Sequence, residues 1–143
     1  MNDEEEVRAL VVAYAELLDA GDLDGVAALF EHGEFRSTRG GSPRVGVAAV
    51  RSMYDQVVLF PDGTPRTKHV LGNIHVQCDR EAGEARASCT FVVLQAPPDG
   101  PLRTVLAGLY RDRFTRIDGR WWFAERIVQP DLVGDLTSHM QAR

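Results

Sequence analysis

Hydrophobic positions follow a helical period in the N-terminal part of the chain and an alternating period in the remainder. Val7, Leu10, Val11, Tyr14, Leu17 and Leu18 form one stripe of a 3.6-residue helix, so the spacing predicts a helix from about Asp3 to Ala20. Asp3 followed by Glu6 resembles a capping box, the acidic first turn suits the helix dipole, and Gly21 is a stop signal. Asp22 caps a short second helix with Leu23, Val26, Ala27, Leu29 and Phe30 on its apolar face. A third helix is expected from Val47 to Leu59, with Val47, Val50, Tyr54, Val57 and Val58 inward, closed by the turn Pro61-Asp62-Gly63. Between the second and third helices, Glu34 to Thr38 reads as a short strand and Gly40-Gly41-Ser42-Pro43 as a loop.

After Pro65 the pattern changes to strands, roughly Arg66–Cys78, Ala85–Gln95, Leu102–Ile117 and Trp121–Val128. Their connections are turn-like, and Asp118-Gly119 between two β-rich runs is a strong hairpin signal. Consecutive strands with short turns predict an antiparallel meander. Helices first and a long sheet second give an α+β fold, with three N-terminal helices packed on a curved antiparallel sheet. Strands this long must bend in so small a molecule, and a curved sheet closed by helices forms a cone with a pocket at its open end. The expected organisation is one domain over residues 1–143. Residues 1–60 are mainly helical, 66–128 form the sheet, and 129–143 are a polar, mobile tail that contains His139.

Composition narrows the function classes. With 44% hydrophobic and 26% charged residues, the 143-residue chain reads as a compact soluble protein with a core large enough to enclose a pocket. A net charge of -5 argues against nucleic-acid binding, which needs a basic stripe. No apolar run approaches the roughly 20 residues of a membrane span, and the acidic start Asn2-Asp3-Glu4-Glu5-Glu6 is unlike a targeting peptide. The expected location is the cytoplasm. Cys78 and Cys89 read as small hydrophobes in strands, or as a cross-strand disulfide that a reducing compartment disfavours.

Two groups of residues are candidates for chemistry. Tyr14 and Asp19 stand near the end of the first helix, about 140° apart around its axis. Tyr14 reads either as a core aromatic or as a pocket residue. Asp19 reads either as a solvated acid or as an acid turned over a pocket mouth. An acid is slightly unfavourable at a helix C-terminus, which hints at another task. On the strand from Arg66, strict alternation puts Thr67, His69, Leu71, Asn73, His75 and Gln77 on one face and Lys68, Val70, Gly72, Ile74, Val76 and Cys78 on the other. The histidine face is either solvated or lines a cavity. Gly108, Tyr110 and Asp112 share a face further on, and Arg126 is either a site residue or a structural partner of Asp112 or Asp131. Trp121 and Trp122 point to opposite faces, one inward and the other available to a subunit interface. His69 and His75 lack an obvious third ligand for a metal.

Several local motifs carry a resemblance. These are Tyr14-Ala15-Glu16-Leu17-Leu18-Asp19-Ala20-Gly21-Asp22 followed by Leu29-Phe30, then Arg66-Thr67-Lys68-His69-Val70-Leu71-Gly72-Asn73. Gly108-Leu109-Tyr110-Arg111-Asp112 and Asp118-Gly119-Arg120-Trp121-Trp122-Phe123-Ala124-Glu125-Arg126 complete the set. In this order they are similar to the SnoaL-like branch of the NTF2-like superfamily, a cystatin-like fold that hosts many chemistries and plain binding proteins. The resemblance to scytalone and bile-acid dehydratases implies an Asp19–His69 dyad, a pocket-facing Tyr14 and a catalytic Arg126. Those enzymes carry a further His or Asp on the next long strand. Here that stretch is Thr90-Phe91-Val92-Val93-Leu94-Gln95, with neither.

The resulting expectation is a general acid–base enzyme of dehydratase, isomerase or cyclase type, working without a cofactor or metal on a hydrophobic cyclic molecule. Its catalytic residues are Asp19, His69, Tyr14 and Arg126, and its substrate-binding residues Tyr54, Asn73, Tyr110 and Trp122. A homodimer is expected, with neither nucleic acid nor membrane as a partner. The alternatives are a non-catalytic ligand-binding or scaffold domain, and an assembly subunit similar to the small subunit of ring-hydroxylating dioxygenases.

Overall fold

The computed structural model describes residues 1–141. Helix α1 spans Asp3–Asp19 and buries Val7, Val11, Tyr14, Ala15 and Leu18, the predicted stripe. Its capping box lies one residue earlier than expected, between Asn2 and Glu5, where each side chain bonds the other's backbone amide. This shift frees Asp3 to accept from the indole of Trp121 at 3.0 Å. Gly21 follows with φ 77°, and a Cβ there would lie 2.0 Å from the carbonyl oxygen of Gly63. Only glycine fits, because both the left-handed backbone and the close approach exclude a side chain.

Helix α2 spans Leu23–Ala28, and strands β1 and β2 span Glu34–Ser37 and Arg44–Val45. Helix α3 covers Gly46–Met53 and gives way to a 3-10 turn at Tyr54–Gln56, shorter than the expected helix to Leu59. The chain leaves it because Val57 turns extended, at φ -71° and ψ 129°, and pairs with Met140. Of the expected inward residues, Val50, Tyr54 and Val57 are buried, while Val47 is exposed.

Strands β3 (Thr67–Asp79), β4 (Glu84–Gln95), β5 (Arg103–Ile117) and β6 (Arg120–Val133) form the meander. The sheet order is β2-β1-β6-β5-β4-β3. One pairing departs from the antiparallel expectation: β1 runs parallel to β6, with Phe35 opposite Arg126. The long intervening chain supplies the crossover that a parallel pair needs. Strand β6 also continues past Val128, where the tail was expected to begin. Beyond Ser37 it has no β1 neighbour, so Pro130 sits on an edge, where a missing N–H is tolerated. Residues 142–143 of the expected tail lie outside the described residues.

Helix α1 packs over the inner face of the sheet, α2 packs against α1 and α3, and α3 lies beside β1 and β2. They enclose a core that includes Phe30, Phe91, Phe114, Trp121 and Phe123. Trp121 is the inward tryptophan. No helix among the described residues is long and apolar enough to cross a membrane.

The largest departure from simple alternation lies in β3. A bulge between Gly72 and His75, with Asn73 at φ 51°, shifts the register against β4. One inserted residue exchanges the two faces of a strand. Thr67, His69 and Leu71 therefore face inward before the bulge, and Ile74, Val76 and Cys78 face inward after it. His75, Gln77 and Asn73 are exposed, so His69 and His75 do not share a face as expected.

Candidate functional site

Asp19 is the last residue of α1 and leans onto the start of β3. Its carboxylate accepts three hydrogen bonds: from the Thr67 hydroxyl at 2.8 Å, the His69 amide at 2.9 Å and the His69 ring Nδ1 at 2.6 Å. The His69 side chain is 3% exposed and that of Asp19 13%. Burial pushes the Asp19 pKa up, but the bonds from the His69 ring, the His69 amide and Thr67 outweigh it, and the net shift is downward from 3.8. A carboxylate bonded to Nδ1 requires the proton there, which leaves Nε2 with a free lone pair in the neutral ring.

His69 is on the wall of a cavity of about 220 Å³ inside the cone. The cavity is lined mostly by apolar groups, among them Leu18, Phe35, Phe91, Val93 and Met140, with Tyr14, Tyr54, Tyr110 and His139 as its other polar groups of note. Two larger depressions, of about 700 and 530 Å³, lie along the outward side chains Gln77, Arg86 and Arg113. Charged side chains line both. Aromatic and titratable groups converge on the smaller one, as expected of a small-molecule site.

The tyrosines form a cluster. The Tyr14 and Tyr54 hydroxyls are hydrogen-bonded to each other, and Tyr110 stacks on Phe91 at 4.2 Å. Burial pushes all three phenols above their ordinary pKa. They are therefore hydrogen-bond donors rather than bases. In a bonded hydroxyl pair only one proton is used, so the other remains for a third acceptor.

Arg126 lies behind this cluster rather than on the cavity wall. Its guanidinium makes a two-pronged ion pair with Asp112, 2.8 Å on each prong, and both side chains are fully buried. It also sits 3.8 Å from the Tyr110 ring centre and 4.3 Å from that of Tyr14. Burial alone would lower the guanidinium pKa, but the Asp112 carboxylate outweighs it and raises it. Of the alternatives for Arg126, the structure has the partnership with Asp112. Its charge acts on the tyrosines by opposing the upward shift of each phenol.

Of the expected site residues, Asp19, His69, Tyr14, Tyr54 and Tyr110 come together at this cavity, Asp19 through His69. Asn73 is at the exposed bulge. Trp122 is half-buried elsewhere, against His32 at 4.7 Å and under Arg120 at 4.0 Å. Two residues were not foreseen. Thr67 shares the inward face with His69 in the sequence pattern, which is a usable signal. His139 carries no periodic signal, yet it is buried on the cavity wall rather than in a mobile tail. Cys78 and Cys89 are free, and burial pushes the Cys89 thiol up to about 11. Among the described residues, no group of three or more His, Cys, Asp or Glu side chains could hold a metal ion.

The sequence profile of the SnoaL-like domain matches residues 1–127. The chain belongs to the SnoaL-like domain family. This SnoaL-like chain is 28% identical over 143 residues to the β1 subunit of the terminal oxygenase component of terephthalate 1,2-dioxygenase from Comamonas sp, covering 92% of each chain. A crystal structure of an NTF2-like protein with a cystatin-like fold, from Novosphingobium aromaticivorans, is 26% identical with a TM-score of 0.75. The match covers 95% of this chain and 86% of that one. A protein of the same organism, provisionally assigned as a scytalone dehydratase, is 23% identical with a TM-score of 0.72, covering 92% of this chain and 85% of that one. The second likeness shows the fold alone. The curved mixed sheet and its helices are thus those of the NTF2-like, cystatin-like fold.

Proposed function

We propose that this SnoaL-like domain is an acid–base enzyme of lyase or isomerase type that moves a proton on a small cyclic molecule held in the cone. The observation that carries this reading is the 2.6 Å contact of Asp19 with Nδ1 of a histidine whose ring lines an apolar cavity. Nε2 of His69 takes a proton from carbon next to a carbonyl. The C–H bond breaks, its electron pair moves into the enolate, and Asp19 supports the imidazolium. The free proton of the Tyr14–Tyr54 pair supports the enolate oxygen. In a dehydration the enolate pair then forms the C=C bond as the neighbouring C–O bond breaks, and the imidazolium gives its proton to the departing hydroxyl, which leaves as water. A cavity of about 220 Å³ suits a ligand of one or two rings, below the usual drug-sized range of about 300 to 1,000 Å³.

The test uses 2-tetralone, a two-ring ketone with acidic hydrogens beside its carbonyl. In heavy water, wild type is expected to speed deuterium uptake at that carbon, read by NMR, and His69→Gln to return it to the buffer rate. Binding without accelerated uptake would move the assignment to a ligand-binding domain.

The likeness to an oxygenase β subunit supports a second reading, a subunit of a larger assembly. The acid–base reading goes with a homodimer, and the subunit reading with a trimer or a partner chain. Light scattering on the purified protein separates the two.

A further inference from the structure

The segment after β6 returns to the mouth of the cone and is tied down on both sides of His139. The Val58 amide donates to the His139 carbonyl at 2.9 Å, and the Gln141 amide to the Gln56 carbonyl at 2.8 Å. The Gln95 side-chain amide donates to the Ser138 carbonyl at 2.8 Å, and Arg103 to the Ser138 hydroxyl at 2.9 Å. Gln95 is itself 1% exposed and also holds the Pro65 carbonyl. These bonds fix the backbone on each side of an imidazole that is 7% exposed and lines the same cavity as His69. Yet Nδ1 of that imidazole is buried with no hydrogen-bond partner among the described residues. Buried polar groups are nearly always satisfied, and an imidazole that lines a cavity without a hydrogen-bond partner among the described residues points to a partner that arrives with the ligand.

We propose that His139 is a specificity-determining residue that hydrogen-bonds a ring hydroxyl of the ligand, so that the molecule taken into the cone is an oxygenated ring compound rather than a bare ketone. The proposal rests on the assignment of the cavity as the ligand site and deepens it. The dehydratases that the sequence resembles carry a second polar residue on the strand after the histidine strand. Here β4 presents Phe91 and Val93 to the cavity instead. The second imidazole reaches the cavity from the far end of the chain. Burial, then the neighbouring His69, hold its pKa down to about 4. A neutral imidazole has one donor and one acceptor nitrogen, which is what a hydroxyl needs. A neutral polar wall also suits an uncharged ligand, since no Lys or Arg side chain is among the cavity-lining residues described.

The experiment compares the binding of 2-tetralone with that of the 2-tetralones carrying one phenolic hydroxyl, by calorimetry on the full chain. At least one hydroxylated isomer is expected to bind wild type about tenfold more tightly, the net worth of one hydrogen bond. His139→Phe is expected to abolish that preference by weakening the hydroxylated isomer more than 2-tetralone, and His139→Gln to restore part of it. A readout that needs no variant is the ring 15N spectrum of wild type, in which a ring nitrogen of His139 moves with the hydroxylated probe and stays still with 2-tetralone. A preference that is absent, or that survives in His139→Phe, overturns the proposal. So do still ring nitrogen signals of His139 with the hydroxylated probe bound. Deuterium uptake separates this result from the acid–base reading: no preference in wild type, with intact uptake, overturns only the role of His139. Intact preference with no uptake overturns only the chemistry.

Discussion

Asp112 and Asp19 each hold a nitrogen side chain from another element, Arg126 at 2.8 Å and His69 at 2.6 Å. At Asp112 both partners are fully buried, both carboxylate oxygens are engaged, and aromatic rings lie close to the guanidinium. At Asp19 one ring nitrogen is engaged and the ring itself forms part of the cavity wall. Arginine does not lose its proton in a protein, whereas histidine does so near neutrality. The same contact therefore makes a fixed brace in one place and, on the proposed reading, a proton-transfer pair in the other. The distinction comes from the identity of the base and from what its remaining nitrogens face, not from the carboxylate.

The largest expected effect breaks the brace. Asp112→Ala leaves a buried guanidinium without its counter-charge, which costs about 3–5 kcal/mol of folding stability. Urea unfolding measures it. The double variant Asp112→Leu with Arg126→Met removes both charges and is expected to recover most of that loss, since a buried pair replaced by apolar groups is often neutral. A single variant within about 1 kcal/mol of wild type would mean that the pair does not brace the cone.

Acid separates the cavity from the brace. The folded value of His139, about 4, lies below the 6.5 of a free histidine. Between these values the unfolded chain takes up a proton that the folded chain refuses. Stability is therefore full above pH 6.5 and falls as pH drops towards about 4, then levels off. At about 1.4 kcal/mol per pH unit, the gap from 6.5 to about 4 amounts to about 3 kcal/mol. Asp19 is lowered below 3.8, so its share is lost only at more acid pH still. The measurement is the unfolding midpoint against pH, wild type minus His139→Phe. A difference that stays flat from pH 7 to 4 would show that His139 is not buried neutral.

The dyad comes next in size. Asp19→Asn keeps a hydrogen-bonding side chain but removes the charge that orients the ring and supports the imidazolium. Deuterium uptake by 2-tetralone is expected to fall about 10²-fold. The ring 15N shifts of His69 are expected to lose the pattern of a single tautomer protonated on Nδ1. An unchanged tautomer would remove Asp19 from the mechanism even if the rate fell.

Local order was legible in the chain, and so was the layering of helices on a curved sheet; the individual contacts that build the site were not. The stripe from Val7 to Leu18 and the Asp118-Gly119 turn are short-range signals, and both elements formed. The bulge at Gly72–Asn73 left no mark in the alternation, because one inserted residue swaps two faces that both carry apolar groups. It decides that His69 looks into the cone and His75 out of it. The contact of Asp19 with His69 joins residues 50 positions apart, and it was visible only through a resemblance to other proteins. His139 had neither aid. It is surrounded by Ser138, Thr137 and Gln141, a composition that reads as solvated tail. What seats it is a set of hydrogen bonds to distant residues: backbone bonds to Gln56 in the 3-10 turn and Val58 just after it, and side-chain bonds from Gln95 and Arg103 on the strands. Its burial is a property of the assembled cone rather than of its own segment.

The smallest expected effect sharpens the comparison at the wall between the two pairs, where Tyr14 meets both Tyr54 and Arg126. If the hydroxyl pair is held for a ligand oxygen, it contributes little to folding and more to chemistry. Tyr54→Phe leaves the Tyr14 hydroxyl without this partner and is expected to cost about 1 kcal/mol of stability. Tyr14→Phe with Tyr54→Phe removes both polar atoms and is expected to cost less than the two single changes added together, because neither variant then strands a hydroxyl. On deuterium uptake the order reverses. The double variant has lost its oxygen support and is expected to be slower than either single variant. Were the hydroxyls mere packing, the uptake rates of all three variants would match that of wild type. The tyrosine wall would then belong with the Arg126 brace rather than with the Asp19–His69 pair.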